Sequence, residues 1–318
     1  MTPRVSILVP VHNAREWIAA AIESALAQSW DNTEVIVLDD GSTDGSIDAV
    51  RAYAPNIRIE FQQRRGQNAS RNRLTALSSG EWLLYLDADD ELAPDAVERK
   101  MARSSGADAL YGSMELRTQR GRDLISSQII VATSFDDPLA AAFLWKYPNT
   151  SSFMFRRQAV VDAGGWNEAI HSCTDYDLYF KLLLAGKELR PVPDSFSVYR
   201  HWDSGQASRE NAIRQMTTRL DVMWRAADAL TESKRWTLEG RVAFSAAALG
   251  VIRVMYLLDP SRAVAEHQRL RVWNPRLEPA PPFFSASYRA AYRLLGFRGA
   301  ERIARATRMI TPWPRPSP

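Results

Sequence analysis

The sequence predicts an α/β fold with a mainly parallel, Rossmann-like sheet flanked by helices, and three observations lead to this class. Apolar runs rich in β-branched residues alternate with segments of helical periodicity over the first ninety or so residues. Turn-forming residues or acids follow most of the apolar runs. Strands and helices that alternate at this spacing are typical of βαβ units, in which the strands run parallel.

The first half of the chain supplies the clearest elements. Its strands are short runs of Val, Ile and Leu, and its first helix has Trp17, Ile18, Ala21, Ile22 and Ala25 at helical spacing. The predicted elements, in order, are strand VSILVPVHN, helix AREWIAAAIESALAQ, strand TEVIVLDD, helix SIDAVRAYA, strand IRIEFQQ, helix NASRNRLTALSSG and strand EWLLYLDADD.

The second half is less regular. We predict strands at ADALYGSMEL and SSFMFRR, with the helix PLAAAFLW between them, and a Gly-Gly turn, a loop and a helix in GGWNEAIHSCTDYDLYFKLLLAGKEL. Residues 209–310 predict several helices rich in Ala and Arg, interrupted by EPAPPFF. The proline-rich end, residues 311–318, predicts a disordered tail.

Composition limits the cellular compartments and the classes of protein that suit this sequence. The single cysteine, Cys173, excludes an internal disulfide framework and favours a reducing compartment. No signal peptide is recognisable, and no run reaches the ~18 uninterrupted apolar residues that span a bilayer. The nearest, 243–258, contains Arg253. We therefore expect a cytoplasmic protein.

Charge divides the chain into two parts. Residues 206–318 carry 19 Lys and Arg against 9 Asp and Glu, a net +10, whereas residues 1–205 carry 21 against 28, a net −7. The basic part could face an anionic membrane or a charged polymer, which suggests peripheral attachment at the inner face of the cell membrane. Residues 283–310 set aromatic residues and leucines beside six arginines, a pattern that suits either a membrane surface or a packed helix with a basic outer face.

Acidic residues follow two of the predicted strands. Asp39 and Asp40 end one strand, and Asp87, Asp89 and Asp90 follow another. Ligands of parallel sheets bind at the carboxyl ends of the strands, so we expect these acids to rim one crevice. Two carboxylates in a D-x-D pattern suit Mg²⁺ or Mn²⁺, which offsets the charge of a diphosphate. In isolation, a solvated acidic turn or a helix N-cap would have the same sequence.

Taken in order, these motifs resemble those of family 2 glycosyltransferases. The resemblance rests on VSILVPVHN, LDDGSTDGS, NASRNRLTALSSGEWLLYLDADD and FRRQAVVDAGGWNEAIHSCTDYDLYFKLLLAG, and it covers roughly residues 4–208. It implies a GT-A fold over residues 1–208, with a nucleotide-binding half (1–100) and an acceptor half (101–208), followed by the helical region 209–310. Because the Q-x-x-R-W motif of processive synthases is absent after residue 200, non-processive transfer is expected.

The resemblance also implies an activity and its partners. It implies inverting, metal-dependent transfer of a sugar from a nucleotide-sugar to a glycan or glycolipid hydroxyl, in the synthesis of cell-surface polysaccharide or glycolipid. A UDP-sugar is the first expectation for the donor, Mn²⁺ or Mg²⁺ for the cofactor, and no nucleic acid is expected as a partner. Two alternatives remain: a Mg²⁺-dependent phosphotransfer domain and a non-catalytic module that binds nucleotide-sugars.

By position, the resemblance assigns the site residues. Asp175 would be the catalytic base. The nucleotide pocket would contain Pro10, Asn13, Asp39, Asp40, Arg71 and Asp87. The metal ligands would be Asp87, Asp89 and His201. Arg71 could instead lie on a solvated helix face, and His201 could be a packed or surface histidine.

Proton transfer explains why a separate carboxylate is needed. An inverting transfer requires one base for the attacking hydroxyl, while the metal stabilises the leaving diphosphate. We expect Asp175 near a helix N-terminus, which favours its charged form, and Asp177 as a capping or solvated residue. The family's usual glutamate before the base is Thr174 here, its usual tyrosine before Asn13 is His12, and its usual asparagine before Gly66 is Arg65.

Overall fold

The computed structural model describes residues 2–120, 123–202 and 212–310, apart from the side chains of residues 202 and 307–310. The chain divides into two compact units, Met1–Glu210 and Asn211–Pro318. The predicted boundary after residue 208 and the predicted tail 311–318 lie outside the described residues.

The first unit contains the sheet and the helices around it. Its strands are β1 (Val5–Val11), β2 (Thr33–Asp40), β3 (Arg58–Gln62), β4 (Trp82–Tyr85), β5 (Glu91–Leu92), β6 (Ala109–Arg120), β7 (Asp123–Ile130), β8 (Phe153–Arg156) and β9 (Leu189–Trp202). Its helices are α1 (Ile18–Leu26), α2 (Ser46–Arg51), α3 (Gln67–Leu77), α4 (Ala96–Met101), α5 (Pro138–Phe143), α6 (Arg157–Asp162) and α7 (Thr174–Leu184), with a turn of 3-10 helix at Thr150–Ser152.

The strands of the described residues form one sheet in the order β3-β2-β1-β4-β8-β6-β9-β5, and β7 pairs with β6. β1 to β4 run parallel, whereas β8 is antiparallel to both β4 and β6. Val11 lies opposite Asp39, and Leu8 lies opposite Tyr85. The predicted α/β class is therefore confirmed, and the carboxyl ends of β1, β2 and β4 meet at one edge of the sheet.

The interior strands form because both of their faces are covered. Every residue of β1 and β4 is buried, which explains their continuous apolar runs. The first helix packs its apolar stripe, which includes Ile18 and Ile22, into the same core as Val5, Ile7 and Val9 of β1. This helix begins at Ile18, four residues later than the start of the predicted segment.

Three strands had no usable sequence signal. β5 has two residues, β7 is exposed along almost its whole length, and β9 contains two prolines. Met114–Arg120 of β6 pair antiparallel with Asp123–Ile130 of β7. Because both faces of β7 are exposed, its apolar and polar residues do not alternate, and the sequence lacks the period-two pattern of a half-buried strand.

The second unit is helical, as predicted. Its helices are α8 (Ala212–Glu232), α9 (Leu238–Leu258), α10 (Pro260–Trp273) and α11 (Ala286–Ile310), the last interrupted at Gly296. Within the stretch at 283–310, Tyr288, Tyr292 and Phe297 are buried, whereas Leu294 and Leu295 are exposed. One face of α11 therefore packs into the unit, and part of its apolar surface is left in solvent.

Helix α9 is long and apolar enough to cross a membrane, judged by length and composition alone. The sequence predicts no span here, because the apolar run 243–258 is too short and contains Arg253. More than half of its most apolar window, 56%, is buried inside the protein. The core helix of a helical bundle has the same properties, so this similarity to a membrane span is weak evidence for one.

The close approach of β6 to β9 at Gly112 generates a stability prediction. A Cβ atom at Gly112 would lie 2.4 Å from the carbonyl oxygen of Ser195, which is backbone and cannot rotate away. We therefore expect Gly112→Ala to lower the free energy of unfolding by about 1–3 kcal/mol. The measurement is urea denaturation of the full chain followed by circular dichroism.

Gly250→Ala is the control, because no atom lies within 4 Å of the added carbon and the residue is inside helix α9. This change should leave stability equal or raise it by up to about 1 kcal/mol. A Gly112→Ala protein as stable as the wild type would contradict the close contact.

Candidate functional site

The two aspartates at the end of β2 organise the loops around them. Asp40 is 3% exposed, and its carboxylate accepts hydrogen bonds from Arg65 N (2.7 Å), Gly66 N (2.8 Å) and Gln62 Nε2 (2.8 Å). Asp39 accepts from the backbone N–H groups of Gly41 and Ser42, each at 3.2 Å. The resemblance assigns Asp40 to the nucleotide pocket, and in this geometry its carboxylate holds the turn that precedes α3.

The residues after β1 contact the loop that follows β2. The Oδ1 atom of Asn13 accepts from Thr43 N at 2.9 Å, and Asn13 N donates to Ser42 Oγ at 3.0 Å. Asn13 has a φ of 51°, an uncommon conformation for a residue other than glycine. Pro10 is buried in β1 opposite Leu38. The structure thus brings Pro10, Asn13, Asp39 and Asp40 to adjacent strand ends.

Arg71, on α3, connects the two acidic parts of the site. Its Nη2 donates to Asp87 Oδ1 at 2.6 Å, and its Nη1 donates to Thr174 Oγ1 at 3.2 Å. Its guanidinium carbon lies 4.4 Å from the centre of the Trp166 ring. Because Arg71 is only 2% exposed, the alternative of a solvated helix face is wrong. The side chain links the segment after β4 to the start of α7.

Asp175 lies in the first turn of α7 and is close to Arg71 and Asp87. Removal from water raises the pKa of its carboxyl above the usual value, and the negative charge of Asp87 adds to this. The backbone N–H of Tyr176, which donates to Asp175 Oδ1 at 2.9 Å, and the charge of Arg71 oppose the rise. The expectation that the helix N-terminus favours the charged form is therefore outweighed by desolvation. A raised pKa makes Asp175 a stronger base than an ordinary aspartate.

Asp177 differs from the prediction. Its side chain is 4% exposed and pairs with Lys181 Nζ at 2.9 Å, one helical turn further on. Lys181 Nζ also donates to the carbonyl oxygen of Gly165 at 3.0 Å. The predicted solvated role is wrong because Asp177 is buried. The capping role stays a prediction. Lys181, the ion-pair partner of Asp177 on the same helix, joins α7 to the Gly-Gly turn.

Asp90 is a buried carboxylate. Contrary to the prediction, it does not line the crevice. It is 0% exposed and accepts from Ser151 Oγ (2.6 Å), Asn149 Nδ2 (2.9 Å) and Arg200 N (3.2 Å). Burial, and then the charges of Asp89 and Asp87, raise the pKa of Asp90 well above its usual range. Asp90 thus connects the segment after β4 to the 3-10 turn and to β9.

The remaining pair, Asp87 and Asp89, has the chemistry of a site for a hard cation. Both side chains are partly exposed, and both raise the pKa of the buried Asp90 carboxyl, which places their negative charge in one small region. A Mg²⁺-type site needs only one or two carboxylates when substrate phosphates and water supply the other oxygens. The two residues fit such a cation.

His201 is not part of a preassembled ligand set. It lies on β9 opposite Thr118 and is 7% exposed. Within the part of the chain that the structure describes, no three His, Cys, Asp or Glu side chains are grouped so that they could hold a metal ion. The assignment of His201 as a third ligand therefore stays a prediction.

Sequence reasoning missed the residues that hold α3 against the GGW segment. Asn72 Nδ2 donates to the Trp166 carbonyl oxygen, and Trp166 N donates to Asn72 Oδ1, each at 2.9 Å. Asn68 Nδ2 donates to the Asn167 carbonyl oxygen at 2.6 Å. Gly165 has a φ of +66°, and a Cβ there would lie 2.8 Å from Asn72 Oδ1. The available signal was the i, i+4 spacing of the two asparagines on α3.

Comparisons with known proteins show what the chain is similar to in sequence and in fold. Residues 6–162 match the model of the family described as glycosyl transferase family 2. Over 189 residues the chain is 32% identical to a chondroitin synthase of Escherichia coli, an alignment that covers 58% of this chain and 27% of that protein. In two further alignments, this chain spans only 38% and 40% of the length of the curated relatives that it matches.

Two solved structures share the fold. S. aureus TarS 1–349 in complex with UDP-GlcNAc aligns over 96% of this chain and 92% of its own, with a TM-score of 0.58 and 18% identity. The mannosyltransferase PcManGT from Pyrobaculum calidifontis, in complex with GDP-Man and Mn²⁺, aligns over 99% and 89%, with a TM-score of 0.53 and 19% identity. The expected GT-A fold is confirmed.

The contacts of Arg71 predict that a lysine cannot replace it. Arg71→Lys keeps the positive charge but loses the planar fork that reaches both Asp87 and Thr174. Losing one charge-assisted hydrogen bond should lower the free energy of unfolding by about 1.5–3 kcal/mol. Urea denaturation followed by circular dichroism measures this loss.

Arg73→Lys on the same helix is the matched control. The Arg73 side chain is 39% exposed, and its ion pair with Glu60 is 3.9 Å long, so its loss should change stability by less than about 1 kcal/mol. Equal effects of the two substitutions would show that the bridge through Arg71 has no special role.

Proposed function

Because residues 6–162 of this chain belong to glycosyl transferase family 2, we propose that the protein transfers a sugar from a nucleotide-sugar to an acceptor hydroxyl, with inversion and with a divalent cation. One observation carries the proposal. The buried side chain of Arg71 holds Asp87, the predicted cation ligand, and the start of α7, which contains Asp175, at the same crevice. A cation site and a separate base are the two parts that an inverting transfer requires.

The donor would bind at the ends of β1 and β2. Pro10, Asn13, Asp39 and Asp40 are adjacent there, and Asp40 holds the backbone of Arg65 and Gly66 in place. The solved relatives named above bind UDP-GlcNAc and GDP-Man, which supports a nucleotide-sugar donor. We keep a UDP-sugar as the first donor to test.

Asp87 and Asp89 would hold the cation beside the donor diphosphate. When bound, a divalent cation offsets the charge of the diphosphate and stabilises the nucleoside diphosphate as it leaves. Arg71 donates to Asp87 Oδ1, so it orients that carboxylate. The buried Nε of Arg71 has no hydrogen-bond partner among the described residues, and the assignment of Arg71 to the nucleotide pocket stays part of the proposal.

Asp175 would take the proton of the acceptor hydroxyl. Its pKa is raised by desolvation, which brings the carboxylate closer to the basicity that suits proton transfer near neutral pH. Arg71 limits this rise through its positive charge. With its raised pKa, the residue is a stronger base than a solvated aspartate.

A phosphotransfer domain is a poorer explanation of this geometry. Its nucleophile would have to be Asp39 or Asp40, and both carboxylates already accept hydrogen bonds from backbone N–H groups that hold loops in place. A carboxylate stabilised in this way is a weaker nucleophile. The other alternative, a non-catalytic nucleotide-sugar binding module, differs from the proposal only in turnover.

The cellular role is proposed from the family and from the charge of the chain. We place the reaction in the synthesis of cell-surface polysaccharide or glycolipid, with a glycan or glycolipid as acceptor and without processive polymerisation. The net +10 of residues 206–318 supports peripheral attachment to an anionic membrane from the cytoplasmic side.

Asp175→Asn separates the enzyme from the binding module. The change removes the proton acceptor at nearly constant size, so we expect transfer to slow by roughly 10²–10⁴-fold. Binding of nucleoside diphosphate with Mn²⁺ should be unchanged, as measured by calorimetry. Asp48→Asn, at a side chain that is 81% exposed on α2, should leave both quantities unaltered.

The role of Asp175 as the base also predicts how the rate of transfer depends on pH. Asp175 must be deprotonated to act, so kcat/KM should rise with pH through the pKa of Asp175. Because burial raises that pKa, the acid limb should lie above about 3.9, the ordinary aspartate value. Transfer by Asp175→Asn at the wild-type rate, or with the same acid limb, would mean that another group is the base.

Asp89→Asn tests the cation site. Replacing the carboxylate by an amide removes a charged oxygen ligand that Mn²⁺ prefers, so nucleoside diphosphate should lose its Mn²⁺-dependent binding while the circular dichroism spectrum is retained. Titration of the diphosphate with Mn²⁺ and with chelator measures the difference. Mn²⁺-dependent binding of undiminished strength in the variant would remove Asp89 from the site.

A further inference from the structure

The second unit contains a pocket of about 480 Å³ that the proposed transfer does not use. It lies between the start of α9, the end of α10 and the segment that follows α10, and all of its lining residues fall between 238 and 280. This volume is within the range of about 300–1,000 Å³ that is usual for small-molecule sites.

One wall of the pocket is apolar, and part of it is exposed to solvent. Leu238, Val242 and Ala246 follow one another along the lining face of α9, and Leu238 is 82% exposed and Val242 45% exposed. Aliphatic side chains exposed beside a concavity are typical of a surface that binds an apolar partner.

The opposite wall is rigid and aromatic. The ring of Trp273, at the end of α10, has its centre 4.8 Å from that of Phe244, 5.2 Å from Trp236 and 6.4 Å from Trp224. Aromatic rings packed at these distances hold one another in place. A ligand chain would therefore meet a preformed surface.

The charge at the pocket is positive. Arg241 and Arg276 both line it, and neither forms an ion pair within the described residues. The Arg241 guanidinium lies 5.5 Å and 5.7 Å from the ring centres of Trp236 and Trp273. The one lining acid, Glu278, is paired with Arg293 at 2.9 Å. The N-terminus of α9 adds the positive end of a helix dipole.

The uncharged polar side chains of the lining are already engaged. Asn274 Nδ2 donates to Ser245 Oγ at 3.2 Å. The polar side chains that remain for a ligand are mainly the charged ones. Two guanidinium groups match the oxygens of a phosphate.

We propose that this pocket binds an amphipathic anion, a phosphate group carried on an alkyl chain. The chain lies between Val242 and Trp273, and the phosphate lies against Arg241 and Arg276. Because the site is concave and one ligand chain fits it, it takes a single molecule from solution and does not need a lipid surface.

The test uses the full chain and alkyl phosphates below their micellar concentration. Isothermal titration should show saturable binding of octyl phosphate at one site, at least tenfold tighter than inorganic phosphate or octyl glucoside. Lengthening the chain from hexyl to octyl phosphate should tighten binding about fourfold for each methylene that enters the pocket. Affinity that does not depend on the chain, or equal affinity for the neutral glucoside, would contradict the proposal.

Substitutions locate the binding. Arg241→Gln with Arg276→Gln should weaken octyl phosphate at least tenfold, and Val242→Asp should do the same from the chain side. Arg262→Gln with Arg298→Gln removes two other exposed arginines of the same unit that do not line the pocket, and this pair should bind like the wild type. Equal weakening by both arginine pairs would show general charge attraction only.

Two further experiments distinguish binding in the pocket from binding to a membrane and from donor binding. Protein that sediments with vesicles of phosphatidylcholine and phosphatidic acid, but does not bind monomeric octyl phosphate, would overturn the pocket in favour of a membrane surface. Binding of nucleoside diphosphate with Mn²⁺ should be unchanged in the pocket variants, so failure of this inference is distinguishable from failure of the proposed transfer.

Discussion

The contact of the buried Arg71 side chain with Asp87 is the interaction on which the crevice depends. A guanidinium that is 2% exposed must be paired, because an unpaired buried charge is very costly. Here the pairing reaches Asp87 and Thr174 and is covered by Trp166. The planar fork of arginine can span these positions, whereas the ammonium of lysine cannot. Three segments far apart in sequence are thereby held at one place.

Negative charge is concentrated around Arg71, and a second guanidinium, that of Arg200, lies beside Asp89 and Asp90. Asp90 and Asp175 are desolvated, and each has a raised pKa to which neighbouring aspartates contribute. The same negative charges act on Tyr199. Burial, and then the charges of Asp90, Asp89 and Asp87, raise the pKa of its phenol. The carboxylates still outnumber the guanidinium groups of Arg71 and Arg200, and this excess is the electrostatic reason why a divalent cation and its diphosphate would suit the crevice.

The two units have separate chemistries. Residues 1–205 are acidic overall, and their site is built from carboxylates at strand ends, whereas residues 206–318 are basic and contain the aromatic pocket with Arg241 and Arg276. Carboxylates favour a cation with its phosphates, and guanidinium groups favour an anion directly. The uneven charge of the chain therefore reflects two kinds of surface.

Features that depend on near neighbours in the chain could be predicted from the sequence. The buried strands β1, β2 and β4, helix α3 and the acids after the strands follow from local periodicity and from the parallel arrangement, and the ordered motifs indicated the family. Tertiary structure alone decided which acids are buried: Asp90 and Asp177 have the same local sequence character as Asp89 and Asp175. The partners of Asp90 lie 59, 61 and 110 residues away. Strand β9 likewise forms through pairing with β6, and Arg71 is buried because Trp166 and Thr174 cover it. Solvation and pKa depend on the atoms that surround a group in space, and residues distant in the chain supply most of them.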